Sequence, residues 1–136
     1  MNNPDIWNRV WARAKTDNEF RAWVKRENSG VRGRKILAYI NKHLGNSRGI
    51  KTIEVGSGLG VYSFIFALRG VEAALMDYSQ EALSLAEENF IAGGLRASFL
   101  CLDALSDISG LKGQFDLAMS FGTLEHFEGK ERFLFT

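Results

Sequence analysis

The segment Glu54-Val55-Gly56-Ser57-Gly58-Leu59-Gly60 constrains this chain more than any other. Before it, Thr52-Ile53-Glu54-Val55 is a short β-type run that reads as a strand. After it, Val61, Phe64, Ile65 and Leu68 recur at helical spacing, and Gly70 stops the pattern. Glycines let a backbone turn tightly and let a ligand approach the main chain closely. The helix start beyond offers unpaired N–H groups and the positive end of a dipole. A strand, glycine turn and helix in this order suit nucleotide ligands of several kinds. The dinucleotide fingerprint G-x-G-x-x-G puts its third glycine at position 61, which is Val61. That counts against a nicotinamide-dependent dehydrogenase. The Gly-Lys-Ser/Thr ending of a phosphate-binding P-loop is absent as well.

The strand-turn-helix rhythm repeats downstream. Val71 to Met76 is a second apolar strand ending at Asp77, and Ser79 caps a helix from Gln80 to Ala92, followed by Gly93-Gly94. Ala97 to Leu102 is a third strand ending at Asp103, and Phe115 to Ser120 is a fourth. Between the last two, Leu105, Ile108 and Leu111 fit either a helix or a packed loop. Repeated βα units of this length predict an α/β, doubly wound, mainly parallel sheet with helices on both faces. The fourth strand is expected at a sheet edge, where an unpaired ladder favours association, a homodimer included.

The first fifty residues read as helices. Asn3 caps a helix that opens on Pro4, and Ile6, Trp7, Val10, Trp11 and Ala14 form its apolar stripe. Thr16-Asp17-Asn18-Glu19 has the form of a capping box for a second helix bearing Phe20, Trp23 and Val24. Ser29-Gly30 is expected to end it, with the glycine left-handed. A third helix runs from about Arg32 to Leu44, with Ile36, Leu37, Ile40 and Leu44 on one face and Gly45 as its stop. The expected division is residues 1–48 as a helical cap and 49–136 as the core.

Charge is divided between these parts. Residues 1–50 hold eleven Lys/Arg against four Asp/Glu, an excess of seven positive charges; residues 51–136 hold six against twelve, an excess of six negative. The two nearly cancel in the overall +1. The basic residues of the first part are spread over amphipathic helices, which favours solvated faces over a nucleic-acid patch. At 136 residues the chain has room for one domain. One cysteine, Cys101, excludes an internal disulfide and a Cys-based structural zinc site, and its place in the third strand predicts a buried core residue. No apolar run approaches the roughly 18 residues of a membrane span, and the polar start Met1-Asn2-Asn3-Pro4-Asp5 has no secretory h-region. Cytoplasmic residence is therefore expected, with no membrane association.

Three acids fall at or near the carboxyl ends of three consecutive strands: Glu54, Asp77 and Asp103. Ligands of open α/β sheets bind at that edge. An acid in the place of Asp77 can accept hydrogen bonds from a ribose diol, and Asp103, followed by Ala104, can accept one from an exocyclic adenine amine. Three acids with no Lys or Arg beside them suit a ligand that carries positive charge and no phosphate.

The sequence resembles the class I S-adenosylmethionine-dependent methyltransferases over residues 51–128. Four segments in order carry the resemblance: Glu54-Val55-Gly56-Ser57-Gly58-Leu59-Gly60, Leu75-Met76-Asp77-Tyr78-Ser79, Cys101-Leu102-Asp103-Ala104 and Phe115-Asp116-Leu117-Ala118-Met119-Ser120. It implies S-adenosyl-L-methionine as cofactor and a Rossmann-like sheet in the order 3-2-1-4. It also implies roles for particular residues. Glu54 and the backbone of Gly56, Ser57, Gly58 and Gly60 would face the methionine part. Asp77 would hold the ribose hydroxyls, and Tyr78 would border the adenine face. Asp103 and Ala104 would meet the adenine edge, and Ser120 would lie beside the methionine part.

Three further strands of that family's sheet have no counterpart in the chain. Families that methylate exocyclic amines carry Asn/Asp-Pro-Pro-Tyr/Phe after the fourth strand. This chain has Phe121-Gly122-Thr123-Leu124-Glu125-His126-Phe127 instead. That segment resembles the methyltransferases of small molecules, those of quinone biosynthesis among them, and makes His126 the candidate catalytic base. No metal site is expected. In such proteins N-terminal helices often cover the substrate pocket, which would make the aromatic residues of the first helices a lid. The expected function is methyl transfer to a small molecule. The alternative is a non-catalytic or truncated cofactor-binding fragment completed by a partner or a dimer.

Overall fold

Strand β1 (Lys51–Val55) is one of the two inner strands of the sheet. It pairs in parallel with β2 (Glu72–Asp77) on one side and with β4 (Leu117–Met119) on the other. Strand β3 (Ala97–Cys101) pairs in parallel with β2. The order is β3-β2-β1-β4. In this register Glu54 is the partner of Leu75 and of Met119, and Asp77 is the partner of Cys101. All carboxyl ends therefore meet at one edge, where open α/β sheets bind ligands. The computed structural model describes residues 3–13, 17–45 and 48–130. Ala14, Thr16 and the tail from residue 131 lie outside the described residues.

Five helices accompany the strands: α1 (Pro4–Trp11), α2 (Asp17–Ser29), α3 (Val31–Leu44), α4 (Val61–Ala67) and α5 (Gln80–Ala92). Their ends follow local chemistry. Asn3 Oδ1 accepts from Asp5 N at 2.9 Å, and Pro4 occupies the first turn, where its missing N–H costs nothing. Gly45 stops α3 with φ 74°. Gly30 corrects an expectation, because its φ is −71° and it is not left-handed. It stands where α2 gives way directly to α3, and a Cβ there would sit 3.0 Å from the Arg26 carbonyl oxygen. Close approach of backbones explains this glycine.

Ser79 Oγ accepts from Ala82 N at 3.2 Å and so caps α5. The same hydroxyl donates to Asn8 Oδ1 at 2.6 Å and ties α1 to the sheet edge. Ser79→Ala is expected to cost about 1 kcal/mol of unfolding free energy, the usual worth of such a cap; urea denaturation reads it.

One apolar cluster joins the helices to the sheet. Phe66, Ile65, Leu75, Phe90, Leu83 and Phe20 are at its centre, each almost fully buried. Phe64 stacks edge-on against both Phe20 and Phe90. Phe20 and Val24 of α2 and Ile40 of α3 belong to this cluster, so the first helices share their core with the sheet. Leu68 was expected on the buried face of α4, but it is 54% exposed, because α4 ends at Ala67 and the chain turns away. A smaller cluster of Ile53, Ala74 and Met76 lies apart from the first, with Ile108, Leu111 and Phe115 packed against it. The segment between β3 and β4 resolves the open alternative: it is a packed loop with one short 3-10 turn, Ser109–Leu111. Cys101 is a further correction. It is exposed, its thiol donating to the Tyr78 carbonyl at 3.9 Å, because β3 is the outer strand and only half-buried. Among the described residues no helix is long and apolar enough to cross a membrane.

Candidate cofactor and acceptor site

A cavity of about 370 Å³ opens at the carboxyl edge of the sheet. Its floor is the loop after β1 together with the ends of β2 and β3. Glu54, Gly56, Ser57, Gly58, Gly60, Asp77, Tyr78, Asp103 and Ala104 all line it. The loop keeps its shape through positive φ at Gly56 (66°), Gly58 (51°) and Gly60 (65°). At Gly58 an added Cβ would sit 2.7 Å from the Trp11 indole, so only glycine lets that ring lie on the loop. Gly56 N and Ser57 N both donate to the Met76 carbonyl, at 2.8 and 3.1 Å, and fix the turn to β2.

The two inner acids are buried. Glu54 is 3% exposed, and its Oε2 accepts from Ser63 N at 3.0 Å and Ser63 Oγ at 2.5 Å. Burial pushes its carboxyl up to about 7; the Asp77 charge adds to this and the Ser63 bonds oppose it. Asp77 Oδ2 accepts from Gly58 N at 2.8 Å and Oδ1 from Ser79 N at 2.9 Å. Burial raises its pKa too, against the pull of those N–H groups. Beside it the Tyr78 hydroxyl is pushed up to about 12 by burial and by the charges of Asp77 and Asp103. Asp103 Oδ1 accepts from Leu105 N at 2.9 Å, which turns the chain under the cavity.

Ser57 Oγ is buried and has no hydrogen-bond partner among the described residues. A hydroxyl in that state costs free energy unless something enters to bond it. Ser120 is placed differently from the residues above. Its Oγ donates to the Val55 carbonyl at 2.8 Å, and it is not among the residues lining the cavity. His126 does line it, in the short 3-10 turn Leu124–His126, with its ring edge-on to Trp7 at 4.7 Å and 71°.

The opposite wall is aromatic: Trp7 and Trp11 from α1, Trp23 from α2, Tyr62 from α4, and Phe121 after β4. Tyr62 and Phe121 stack at 4.2 Å. The Tyr62 hydroxyl donates to Glu27 Oε2 at 2.7 Å. That bond, foremost, holds Glu27 below the usual carboxylate range, helped by Trp23 and Arg26. Arg32 lines the cavity beside Tyr62. The sequence points to the tryptophans as a lid and counts Arg32 among the basic residues of the first helices that could meet an acidic partner, but it does not single out Glu27 or Tyr62, for which the aromatic character of Tyr62 next to the glycine loop is the available signal.

A parallel 3-2-1-4 sheet with acids at three strand ends and a glycine turn is a Rossmann-like fold built for an adenosyl-type ligand. Comparison narrows that class. Residues 53–135 match the family model described as a methyltransferase domain. The ubiquinone biosynthesis O-methyltransferase of Azoarcus sp. (strain BH72) is 32% identical over 95 residues, which is 70% of this chain and 40% of that protein. The enzyme of the same name from Methylococcus capsulatus (strain Bath) is 31% identical over 90 residues, 66% of this chain and 38% of that one. Magnesium protoporphyrin IX methyltransferase from Synechocystis PCC 6803, solved with bound SAM, superimposes with TM-score 0.66 at 19% identity over 96% of this chain and 61% of that one. The chain belongs to the methyltransferase domain family and has the fold of the class I S-adenosylmethionine-dependent methyltransferases. It spans about two fifths of the length of the curated relatives it matches.

Proposed function

We propose that this chain transfers a methyl group from S-adenosylmethionine to a small organic acceptor. The observation that carries the reading is the division of one cavity into a buried acidic floor and an aromatic wall. The floor suits a cofactor with an ammonium and a sulfonium. In this reading Asp77 takes the ribose hydroxyls, Tyr78 borders the adenine, and Asp103 with Ala104 meets its edge. Glu54 balances the ammonium, the orphaned Ser57 hydroxyl is free to donate to the methionine carboxylate, and the backbone of Gly56, Gly58 and Gly60 faces the methionine part at close approach. Ser120 supports the methionine part from behind by holding the Val55 carbonyl.

The sulfonium supplies an already activated methyl, so the protein's work is alignment and exclusion of water. Trp7 and Trp11, lying over the floor from α1, exclude water. His126, at the cavity wall, is the proposed base that takes the acceptor's proton. Residues 1–48 then act as a cap and 49–136 as the cofactor core. The names of the curated relatives support an oxygen nucleophile on a small molecule. Cytoplasmic residence and pairing of two copies along β4 belong to the same proposal.

Calorimetry with S-adenosylmethionine and S-adenosylhomocysteine, with NADH as control, tests the reading. Binding of the adenosyl compounds alone is expected. Asp77→Ala should weaken it by roughly 1–3 kcal/mol, the range for a lost hydrogen bond near charge. Unchanged affinity in a folded variant would remove Asp77 from the site.

A further inference from the structure

We propose that the acceptor is a planar aromatic acid, its ring held by the tryptophan wall and its carboxylate by Arg32. The inference rests on the methyl-transfer reading and names the substrate class of that same cavity. The first ground is the polarity of the cavity. Its floor carries Glu54, Asp77 and Asp103 and no cation. The corner beside Tyr62 carries Arg32, with Glu27 and, paired with Glu27, the exposed Arg26. Two guanidinium groups against one carboxylate leave that corner with one positive charge in excess. The cavity is thus lined by acids at the strand ends, where a cationic cofactor belongs, and by its single Arg/Lys side chain, Arg32, near Tyr62.

The second ground is which of these groups has capacity to spare. Glu27 is committed: Tyr62 donates to Oε2 at 2.7 Å, Arg26 Nε lies 3.6 Å from Oε1, and Trp23 bonds the same carboxylate. It offers little to a cationic ligand. Arg32 lies close enough to the Tyr62 hydroxyl to act on its ionisation, lines the cavity, and carries a fork of five N–H donors. A guanidinium with donors facing a cavity matches a carboxylate in bidentate fashion. The third ground is shape. Between Arg32 and the floor the walls are Trp7, Trp11, Trp23, Tyr62 and Phe121, which offer flat faces and edges to a ring. A methylatable hydroxyl on the ring, opposite its carboxylate, would then point toward the cofactor.

The experiment uses the full chain loaded with S-adenosylhomocysteine, so that binding is read without turnover. Calorimetry compares 6-hydroxy-2-naphthoate with its methyl ester and with the corresponding naphthylmethylamine. The acid is expected to bind at least tenfold more tightly than either. Arg32→Ala should abolish that preference, Arg32→Lys should keep part of it, and Arg34→Ala, on an exposed position of α3, should change nothing. Equal binding of acid and ester, a preference for the amine, or no binding of the acid overturns the proposal. So does an acid preference that survives in folded Arg32→Ala. Should that variant not fold, the ligand series on the natural chain decides. Failure of S-adenosylhomocysteine itself to bind counts against the methyl-transfer reading instead, and the same ligand series on the free chain then decides the acid preference.

Discussion

Without cofactor, the chain is expected to lose stability as the pH rises from 4.5 to about 7, by about 3 kcal/mol. The cause is Glu54. In the unfolded chain its carboxyl ionises near the ordinary 4.5, and in the folded chain burial holds the proton until about 7. Between those values the native state binds more protons than the unfolded one, so raising the pH favours unfolding. Below the window both states are protonated and the full contribution is present; above it both are ionised and the loss is complete. Urea denaturation across the window reads the slope, and Glu54→Gln should remove the Glu54 part of it while keeping an acceptor for Ser63 and leaving the slope of the same sign from the raised Asp77 carboxyl. A natural chain with no slope would mean that the carboxylate is stabilised by something other than Ser63. The effect reverses in the presence of cofactor. A cation beside Glu54 favours its ionised form, so affinity for S-adenosylmethionine should rise with pH through 7, with protons released on binding below it.

Gly60→Ala is expected to cost roughly 2–4 kcal/mol, the sum of a left-handed alanine and an overpacked core. Gly60 caps α4 with φ 65°, and a Cβ there would collide with the Leu75 side chain, which is itself fully buried and has nowhere to move. Gly94→Ala is the control. Its φ is 68°, but nothing lies within 4 Å of an added Cβ, so only the conformational part of the cost remains. Equal losses at the two positions would show that the glycine loop shifts freely away from β2.

Much of the fold was legible because its signals are local. Asn3-Pro4, Ser79 and Gly45 mark helix ends by chemistry that acts within a few residues, and all three do so. The strand order followed from the family resemblance, not from periodicity. The errors also have local causes. Gly30 was read as a left-handed stop when it is a close-packing glycine, and Cys101 was read as buried because strand patterning does not say which strand lies outermost. The glycine loop and the acids at the strand ends could be located along the sequence. The Tyr62–Glu27 bond could not, since it joins residues 35 apart in the chain and depends on how α2 packs on α4. Ser120 shows the same limit over 65 residues: its place was legible, but the direction of its hydroxyl, toward Val55, was not.

The tryptophans have a spectroscopic consequence. The chain has three, at positions 7, 11 and 23, and all three border the cavity. Indole emission therefore carries no background from elsewhere and reports on the cavity wall alone. An unfolding curve followed by emission tracks α1 and α2 leaving the sheet edge, whereas far-ultraviolet dichroism tracks every helix and strand. If α1, which buries no residue of its own, detaches first, the emission curve will precede the dichroism curve.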